Sequence, residues 1–397
     1  MRSSPGPKPK RHEGPLPWAK LRSAAPSPQV YRRMVDHVDP KACPGDLVAV
    51  YDKADEPYGV ALYNPRSLIT LRMLTRDVAG FDADVLFEKR LRAALELRRD
   101  VLGLDRTCDV YRLVHDLGDG FPGLVVDRYG EWVVLEFYSL GMFRQAKRLE
   151  RILGALLPGA RFVHRASDYS EKMEGFQVLP AEPVTVRVRE NGIVFEVDLA
   201  GGHKTGFFCD QRDNRMAVGS LAAGRRVLDV CSFTGGFGLY ASKIGHAQDV
   251  TCVELDPEAA ERARRNANLN RVKVNTVCAD AFPYLRQMAA NGERYGLVVL
   301  DPYKLIASRE GFRQGRQKYI DLNRLALGLA EEGGLLVTCS CSGMLPWDDF
   351  AGVLRTAAAQ AGRRVQIFRK TGAGGDHPFA VDHAEGEYLK VLWCRVA

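Results

Sequence analysis

The sequence has no long apolar run, no C-x-x-C pair and no secretory leader pattern, and each absence excludes a class of protein. No stretch approaches the roughly 18 consecutive apolar residues that a membrane span needs. The basic, proline-rich N-terminus lacks the apolar segment of a secretory signal. The nine cysteines are odd in number and scattered, so the sequence predicts neither a disulfide framework nor a zinc site. We therefore expect a cytoplasmic protein with no bound metal and no membrane contact.

Positive charge is concentrated at the N-terminus. The chain has 56 Lys and Arg against 49 Asp and Glu, a formal net charge of +7. Residues 1–33 hold eight of the basic residues and a single acid, Glu13. Such a segment is either a solvated tail or an arm that neutralises nucleic-acid phosphates, and both interpretations stay open. Because residues 1–27 are rich in proline with little periodic apolar pattern, we predict a disordered tail there.

The pattern of strand and helix formers divides the rest of the chain into three modules. Short β-rich runs separated by turn residues predict a small barrel over residues 28–77. Residues 78–200 combine a predicted helix at 82–99 with hairpin strands, which indicates a second, α+β module. Residues 201–397 alternate strand and helix, and this alternation predicts a parallel, doubly wound α/β sheet.

Five successive predicted strands of the last module end in chemically active side chains. In strand order these are Asp229, Glu254, Asp280, Asp301 and the pair Cys339 and Cys341. Because the carboxyl ends of parallel strands meet at one edge, we expect these side chains to lie close together, where open α/β sheets bind ligands. A helix N-cap explains one such acid, but four in succession favour a binding site.

A glycine-rich turn follows the first of these strands and predicts a nucleotide-like cofactor. The turn contains Ser232, Phe233, Thr234, Gly235 and Gly236. It lacks the G-x-G-x-x-G spacing of NAD enzymes, which makes an NAD oxidoreductase the less favoured alternative. An S-adenosylmethionine site explains the turn and the acids together. The turn would hold the methionine part, Glu254 the ribose hydroxyls and Asp280 the adenine edge.

The fourth strand leads into the candidate substrate residues Asp301, Pro302, Tyr303 and Lys304. A proline after an acid fixes backbone carbonyls beside a planar substrate, and Tyr303 or its neighbours could stack on a flipped-out base. An ordinary turn at the end of a strand explains the same residues, so this signal is weak by itself.

The fifth strand ends in two cysteines that are two residues apart. A cysteine at this edge is either a small buried residue or a nucleophile. On a strand Cys339 and Cys341 share one face, so we expect one to pack and the other to emerge at the cleft. Cys341 lies nearer to the loop and is the better candidate nucleophile.

Taken together, these motifs resemble the bacterial and archaeal PUA-domain-containing rRNA cytosine-C5 methyltransferases over about residues 28–397. The matching segments are GVALYNP (59–65), GDGFPG (118–123), DRYG (127–130), HKTGFFCDQR (203–212), SFTGGF (232–237), SCSG (340–343), DHP (376–378) and EYLK (387–390). The resemblance implies an α/β fold in which a PUA barrel and a central module precede a class I, Rossmann-like methyltransferase domain.

The resemblance also implies a chemistry and a partner. Cys341 would attack C6 of a cytosine in large-subunit (23S) rRNA, while Asp301 would contact the N3/N4 edge of the base. A methyl group from S-adenosylmethionine would then reach C5, and loss of the C5 proton would expel the thiol. Gln211, Arg212 and Asp301 would join the cofactor-binding residues, and Pro302, Tyr303 and Lys304 would bind the substrate.

Two departures from the family pattern keep alternatives open. Tyr303 stands where the family has a second proline after the acid, and Gln29 replaces the tryptophan of a Pro-Trp pair in the barrel. One alternative is an RNA methyltransferase acting on another base, such as N2 of guanine, which needs no cysteine. The other is a non-catalytic RNA-binding factor in ribosome assembly. A homodimer is one option for the oligomeric state.

Overall fold

The computed structural model describes residues 14–23, 27–199, 206–383 and 386–397. Most of the predicted N-terminal tail, residues 1–13 and 24–26, lies outside the described residues, as do residues 203–205 of the HKTGFFCDQR motif. Within the described ranges, the strands form sheets of six, four, two and seven strands. None of the helices there has both the length and the apolar character that crossing a membrane requires.

The first sheet forms the barrel module. Its strands are β1 (Trp18–Leu21), β2 (Gln29–Tyr31), β3 (Val35–Val38), β4 (Leu47–Tyr51), β5 (Pro57–Tyr63) and β6 (Ile69–Thr75), in the order β2-β6-β5-β4-β1-β3. Strand β1 corrects the prediction of a disordered tail over residues 1–27. It pairs with β3 and β4, and Ala19 and Leu21 are fully buried in the barrel core. Two alternating apolar residues are too short a pattern to stand out within a proline-rich segment.

The central module is α+β, as its sequence predicts. It contains α1 (Ala83–Glu96), β7 (Val110–His115), β8 (Leu124–Tyr129), β9 (Trp132–Phe137), α2 (Leu140–Arg144), α3 (Ala146–Leu156), β10 (Arg161–Arg165), α4 (Asp168–Glu174), β11 (Thr185–Glu190) and β12 (Ile193–Asp198). Strands β7, β8 and β9 form an antiparallel meander, and β10 pairs in parallel with β9. Helix α1 continues as a π-helical turn over Leu97–Val101, and β11 and β12 form a separate hairpin.

The seven-stranded sheet belongs to the last module. Its elements are α5 (Arg212–Leu221), β13 (Arg226–Val230), α6 (Gly236–Lys243), β14 (Asp249–Glu254), α7 (Pro257–Leu269), β15 (Asn275–Cys278), α8 (Ala281–Ala290), β16 (Tyr295–Leu300), α9 (Phe312–Leu329), β17 (Ala330–Ser340), α10 (Trp347–Ala361), β18 (Val365–Thr371) and β19 (Lys390–Val396). The order is β15-β14-β13-β16-β17-β19-β18. Strands β13 to β17 are parallel, which confirms the predicted doubly wound α/β class.

Strand β19 departs from an all-parallel sheet. It lies between β17 and β18 and runs antiparallel to both. Val391, Leu392, Trp393 and Cys394 are all fully buried, so the middle of the strand, between Lys390 and Arg395, is an unbroken apolar run. Such a run is typical of an interior strand of either direction, and its pattern therefore does not reveal how the strand pairs.

A buried carboxylate joins the central and last modules. Asp376, in the segment between β18 and β19, accepts two hydrogen bonds from the Arg212 guanidinium at 2.9 and 3.0 Å. It also accepts one from the backbone N–H of Arg112 in β7 at 3.0 Å, and Arg98 donates to its backbone carbonyl at 2.7 Å. Burial alone would raise the pKa of Asp376, but His377 and Arg212 outweigh it and hold that pKa well below its usual range.

We predict that Asp376→Ala lowers the free energy of unfolding by about 3–5 kcal/mol, because it leaves the buried Arg212 guanidinium with only the exposed Asp213 as a counter-charge. Urea denaturation followed by circular dichroism measures the change. Asp382→Ala is the matched control, since Asp382 is an exposed carboxylate in the same segment. A loss below about 1 kcal/mol for Asp376→Ala would contradict the role assigned to the ion pair.

Candidate active site

The predicted row of acids gathers around one short turn. Asp229 lies in β13, Glu254 ends β14, Asp280 follows β15 and Asp301 follows β16. Burial and the negative charges of all four carboxylates raise the pKa of Cys231, a thiol in the turn after β13. The four side chains therefore lie near one another, as their positions at strand ends predict.

This turn lies where the strand order of the sheet reverses. Strand β13 has β14 on one side and β16 on the other, and the chain reaches them through crossovers in opposite directions. Backbone hydrogen bonds fix the turn to both neighbours. Ser232 N donates to Val253 O at 3.0 Å, and Asp301 N donates to Val230 O at 3.2 Å. Such a reversal point opens a crevice that binds ligands in α/β sheets.

Glu254 holds the turn in an uncommon backbone conformation. Cys231 and Phe233 have φ of 60° and 51°, which non-glycine residues adopt rarely. The Glu254 carboxylate accepts hydrogen bonds from the backbone N–H groups of Phe233 at 2.7 Å, Leu255 at 2.8 Å and Asp256 at 3.0 Å. Because a carboxylate has about four acceptor sites, one is left for a ligand hydroxyl.

Two buried polar atoms beside this turn have no hydrogen-bond partner among the described residues. They are Oδ1 of Asp229 and Oγ of Ser232. The other oxygen of Asp229 accepts from Gly238 N at 2.9 Å. Burial, with the charges of Asp301 and Glu254, raises the pKa of Asp229 to about 7. Unused acceptors among crowded negative charges fit a polar, cationic ligand, and S-adenosylmethionine carries both a sulfonium and an ammonium group.

The two cysteines at the end of β17 lie in different environments. Cys339 is fully buried, and burial together with the charge of Asp301 raises the pKa of its thiol well above the usual range. Cys341 lies beyond the last residue of the strand, Ser340, and is partly exposed. Cys339 is thus a core residue, whereas Cys341, beyond the end of the strand, packs against the same core and keeps part of its surface exposed. The nucleophilic role of Cys341 stays a prediction.

Gln211 and Arg212 follow each other in sequence but have different partners. Gln211 donates from its side-chain amide to Asp301 Oδ2 at 3.0 Å and accepts from Asn214 at 2.7 Å, so it orients Asp301. The Arg212 guanidinium pairs with Asp376 and, at 3.2 Å, with Asp213. These ion pairs occupy the Arg212 guanidinium, and the contact of Arg212 with the cofactor stays a prediction.

The remaining predicted residues differ in exposure. Pro302 is buried, whereas Tyr303 is 68% exposed and Lys304 is exposed, so the Tyr303 ring is available for stacking. Asp280 is exposed and caps α8 by accepting from Phe282 N at 2.8 Å. A helix cap therefore accounts for Asp280 locally, and its contact with adenine stays a prediction.

A cavity of about 290 Å³ lies beside this edge, and sequence reasoning did not identify its residues as part of the site. The central module contributes His115 and Glu136 to its lining, and the last module contributes Asp210, His377 and Tyr388. The Tyr388 hydroxyl donates a hydrogen bond of 2.5 Å to Oδ2 of Asp210. Asp210 directly precedes Gln211 in the sequence. Asp210 and Tyr388 lie in the segments HKTGFFCDQR and EYLK. These motifs contribute to the family resemblance, but the sequence assigns no role to either residue.

Comparison with known proteins assigns the family. Residues 162–370 match the family described as S-adenosylmethionine-dependent methyltransferase. Ribosomal RNA large subunit methyltransferase I of Photobacterium profundum is 37% identical, over 93% of this chain and 95% of the relative. The protein of the same name from Escherichia coli O127:H6 is 34% identical with the same coverage. The chain belongs to this methyltransferase family.

The matches extend to the barrel and the whole fold. Residues 23–76 match a PUA-like domain. The crystal structure of SMU.776 complexed with SAH has a TM-score of 0.77 at 21% identity, covering 93% of this chain and 95% of that one, and so shares the fold. S-adenosylmethionine is the cofactor of this methyltransferase, and the acid-lined turn described above fits it.

We predict that Glu254→Ala weakens S-adenosylmethionine binding roughly 10- to 100-fold, the equivalent of about 1.5–3 kcal/mol for a hydrogen bond to a charged group. The substitution also releases the turn at Phe233. Calorimetric titration measures the affinity, with Glu258→Ala as the control because Glu258 is an exposed acid in the first turn of α7. Unchanged affinity, or tighter binding of NAD, would refute this assignment of the turn.

The raised pKa of Asp229 predicts a pH-dependent stability. The folded state holds the proton up to about pH 7, whereas the unfolded chain releases it near pH 4, so this carboxyl makes the protein less stable as pH rises between these values. Between pH 5 and 8, the free energy of unfolding of the wild type should fall by about 2 kcal/mol relative to that of Asp229→Asn, whose side chain stays neutral. Parallel urea titrations at both values test this, and an equal pH dependence in the two proteins would contradict it.

Proposed function

We propose that this protein transfers a methyl group from S-adenosylmethionine to C5 of a cytosine in large-subunit (23S) rRNA. The observation that carries the proposal is a partly exposed cysteine, Cys341, at the same sheet edge as Asp301 and the cofactor turn. The chain also aligns over nearly its whole length with enzymes named ribosomal RNA large subunit methyltransferase I. Such an rRNA substrate agrees with the predicted cytoplasmic location.

The proposed reaction begins with the Cys341 thiolate, which forms a bond to C6 of the cytosine. The electrons of the C5–C6 double bond move into the ring, where Asp301 contacts the N3/N4 edge and makes C5 nucleophilic. Bound S-adenosylmethionine supplies an electrophilic methyl group at its sulfonium. After C5 takes this methyl group, a base removes the C5 proton, the double bond re-forms and the sulfur of Cys341 leaves as thiolate.

Neighbouring residues support this chemistry in the proposal. Gln211 fixes one oxygen of Asp301 by a hydrogen bond of 3.0 Å, which orients the carboxylate toward the base. Tyr303 offers its exposed ring for stacking, and Lys304 offers a positive charge to the RNA backbone. The PUA-like barrel and the basic N-terminal residues would bind RNA further away. A homodimer has no support in the comparisons and is not part of the proposal.

One observation favours a second candidate, methylation of an exocyclic amine such as N2 of guanine. The exposed Tyr303 follows Asp301 and Pro302, where the cytosine enzymes have a second proline. An acid, a proline and an aromatic residue in sequence also suit an amine substrate, and amine methylation requires no cysteine. The two candidates therefore differ in their dependence on Cys341.

We predict that Cys341→Ser lowers methylation of unmodified 23S rRNA by roughly 10³-fold or more, because a serine hydroxyl is hardly ionised near neutral pH. Cys339→Ser is the matched control and should retain much of the activity, since Cys339 is fully buried. Transfer of labelled methyl groups measures the rate, and bisulfite sequencing of the product identifies the base.

A trapping experiment identifies the nucleophile independently. RNA carrying 5-fluorocytosine has no C5 proton to lose, so the adduct should persist as a denaturant-stable band that contains Cys341. If Cys341→Ser methylates normally and no adduct forms, cytosine-C5 chemistry is wrong and amine methylation becomes the proposed function. An adduct through Cys339 would leave the reaction standing and show that the choice of nucleophile is wrong.

A further inference from the structure

A buried lysine lies next to the candidate nucleophile. Lys390 is the first residue of β19 and is only 2% exposed. Its backbone pairs with Ser340, the last residue of β17, directly before Cys341. Lysine is almost never fully buried unless its ammonium is paired. The location of this one therefore requires an explanation.

Two carbonyl groups hold the ammonium in place. Lys390 Nζ donates to Ser342 O at 3.1 Å and to Tyr388 O at 2.7 Å. Because Ser342 directly follows Cys341, the ammonium lies against the backbone turn that carries the thiol. An ammonium has three N–H donors, so these two carbonyls leave one donor for a further acceptor. Carbonyl acceptors also favour the charged form of the amine.

Neutral and acidic groups also interact with this pair. Burial lowers the pKa of Lys390, while the negative charges of Cys341 and Glu387 act to raise it. Tyr319 of α9 and the buried Cys339 also interact with Cys341, and burial raises the pKa of both, so they stay neutral near pH 7. Neither of these two groups offsets a negative charge on Cys341.

We propose that the ammonium of Lys390 stabilises the thiolate of Cys341 and that Lys390 is a positioning residue for the nucleophile. The thiol releases its proton to solvent, and the negative sulfur left behind is attracted by the fixed positive charge of the buried Lys390. The inference rests on the proposed function only in taking Cys341 as the nucleophile.

The pH dependence of alkylation tests this directly on the full chain, without RNA or cofactor. Iodoacetamide is added between pH 6 and 9, and mass spectrometry of peptides follows each cysteine. In the wild type, the midpoint for Cys341 should lie below that of the exposed Cys278, which serves as an internal reference. In Lys390→Gln, which keeps a donor but loses the charge, the midpoint should rise by about one pH unit, so alkylation near pH 7 falls about tenfold. Lys390→Arg should restore most of the rate.

Two outcomes would overturn the proposal. One is a midpoint for Cys341 in the wild type that equals or exceeds that of Cys278, a result that needs no variant and is therefore independent of folding defects. The other is an unshifted Cys341 profile in a Lys390→Gln protein whose thermal unfolding and S-adenosylmethionine affinity match the wild type, which would make Lys390 a structural anchor only. A shifted profile combined with normal methylation by Cys341→Ser would refute the proposed function and leave the thiolate contact standing.

Discussion

The ion pair between Asp376 and Arg212 is the constraint on which the geometry of the site depends. Its carboxylate receives bonds from Arg212 at the start of α5 and from the backbone of Arg112 in β7, while Arg98 binds its carbonyl. Three distant parts of the chain therefore meet at one buried charge. The segment fixed in this way leads into β19 and so determines where Tyr388 and Lys390 lie. Removing one partner of such a buried charge destabilises a protein far more than removing one partner of an exposed ion pair does.

Crowded negative charge at the cofactor turn is a second constraint, and it discriminates between ligands. Asp229 has a raised pKa because it is buried and because Asp301 and Glu254 repel its charge. A sulfonium ion entering this edge relieves the repulsion, whereas the pyrophosphate of a dinucleotide would add to it. The electrostatics of the edge therefore disfavour an NAD enzyme independently of the missing glycine spacing.

Local patterns predicted the parts of the fold that depend on neighbouring residues. Strands β13 and β14 carry Asp229 and Glu254 at their carboxyl ends, as predicted, and the four acids lie near Cys231 because every parallel strand delivers its C-terminal residues to one edge. Long-range pairing left no such signal. Asp376 and Arg212 are 164 positions apart, and the apolar residues in the middle of β19 do not indicate the direction in which the strand pairs. In the sequence, Lys390 appears only as the last residue of the EYLK motif, because its role depends on a turn nearly fifty residues away.

The position of β19 has a consequence for how the protein matures during synthesis. The barrel strands, the cofactor turn and strands β13, β14 and β16 all precede residue 302, and β13 pairs with both β14 and β16. Strand β17 lacks its second neighbour until residues 390–396 have left the ribosome and entered the gap beside β18. A growing chain thus contains the strands of its cofactor edge first, while the thiol turn gains its buried cation only when the last strand closes the sheet.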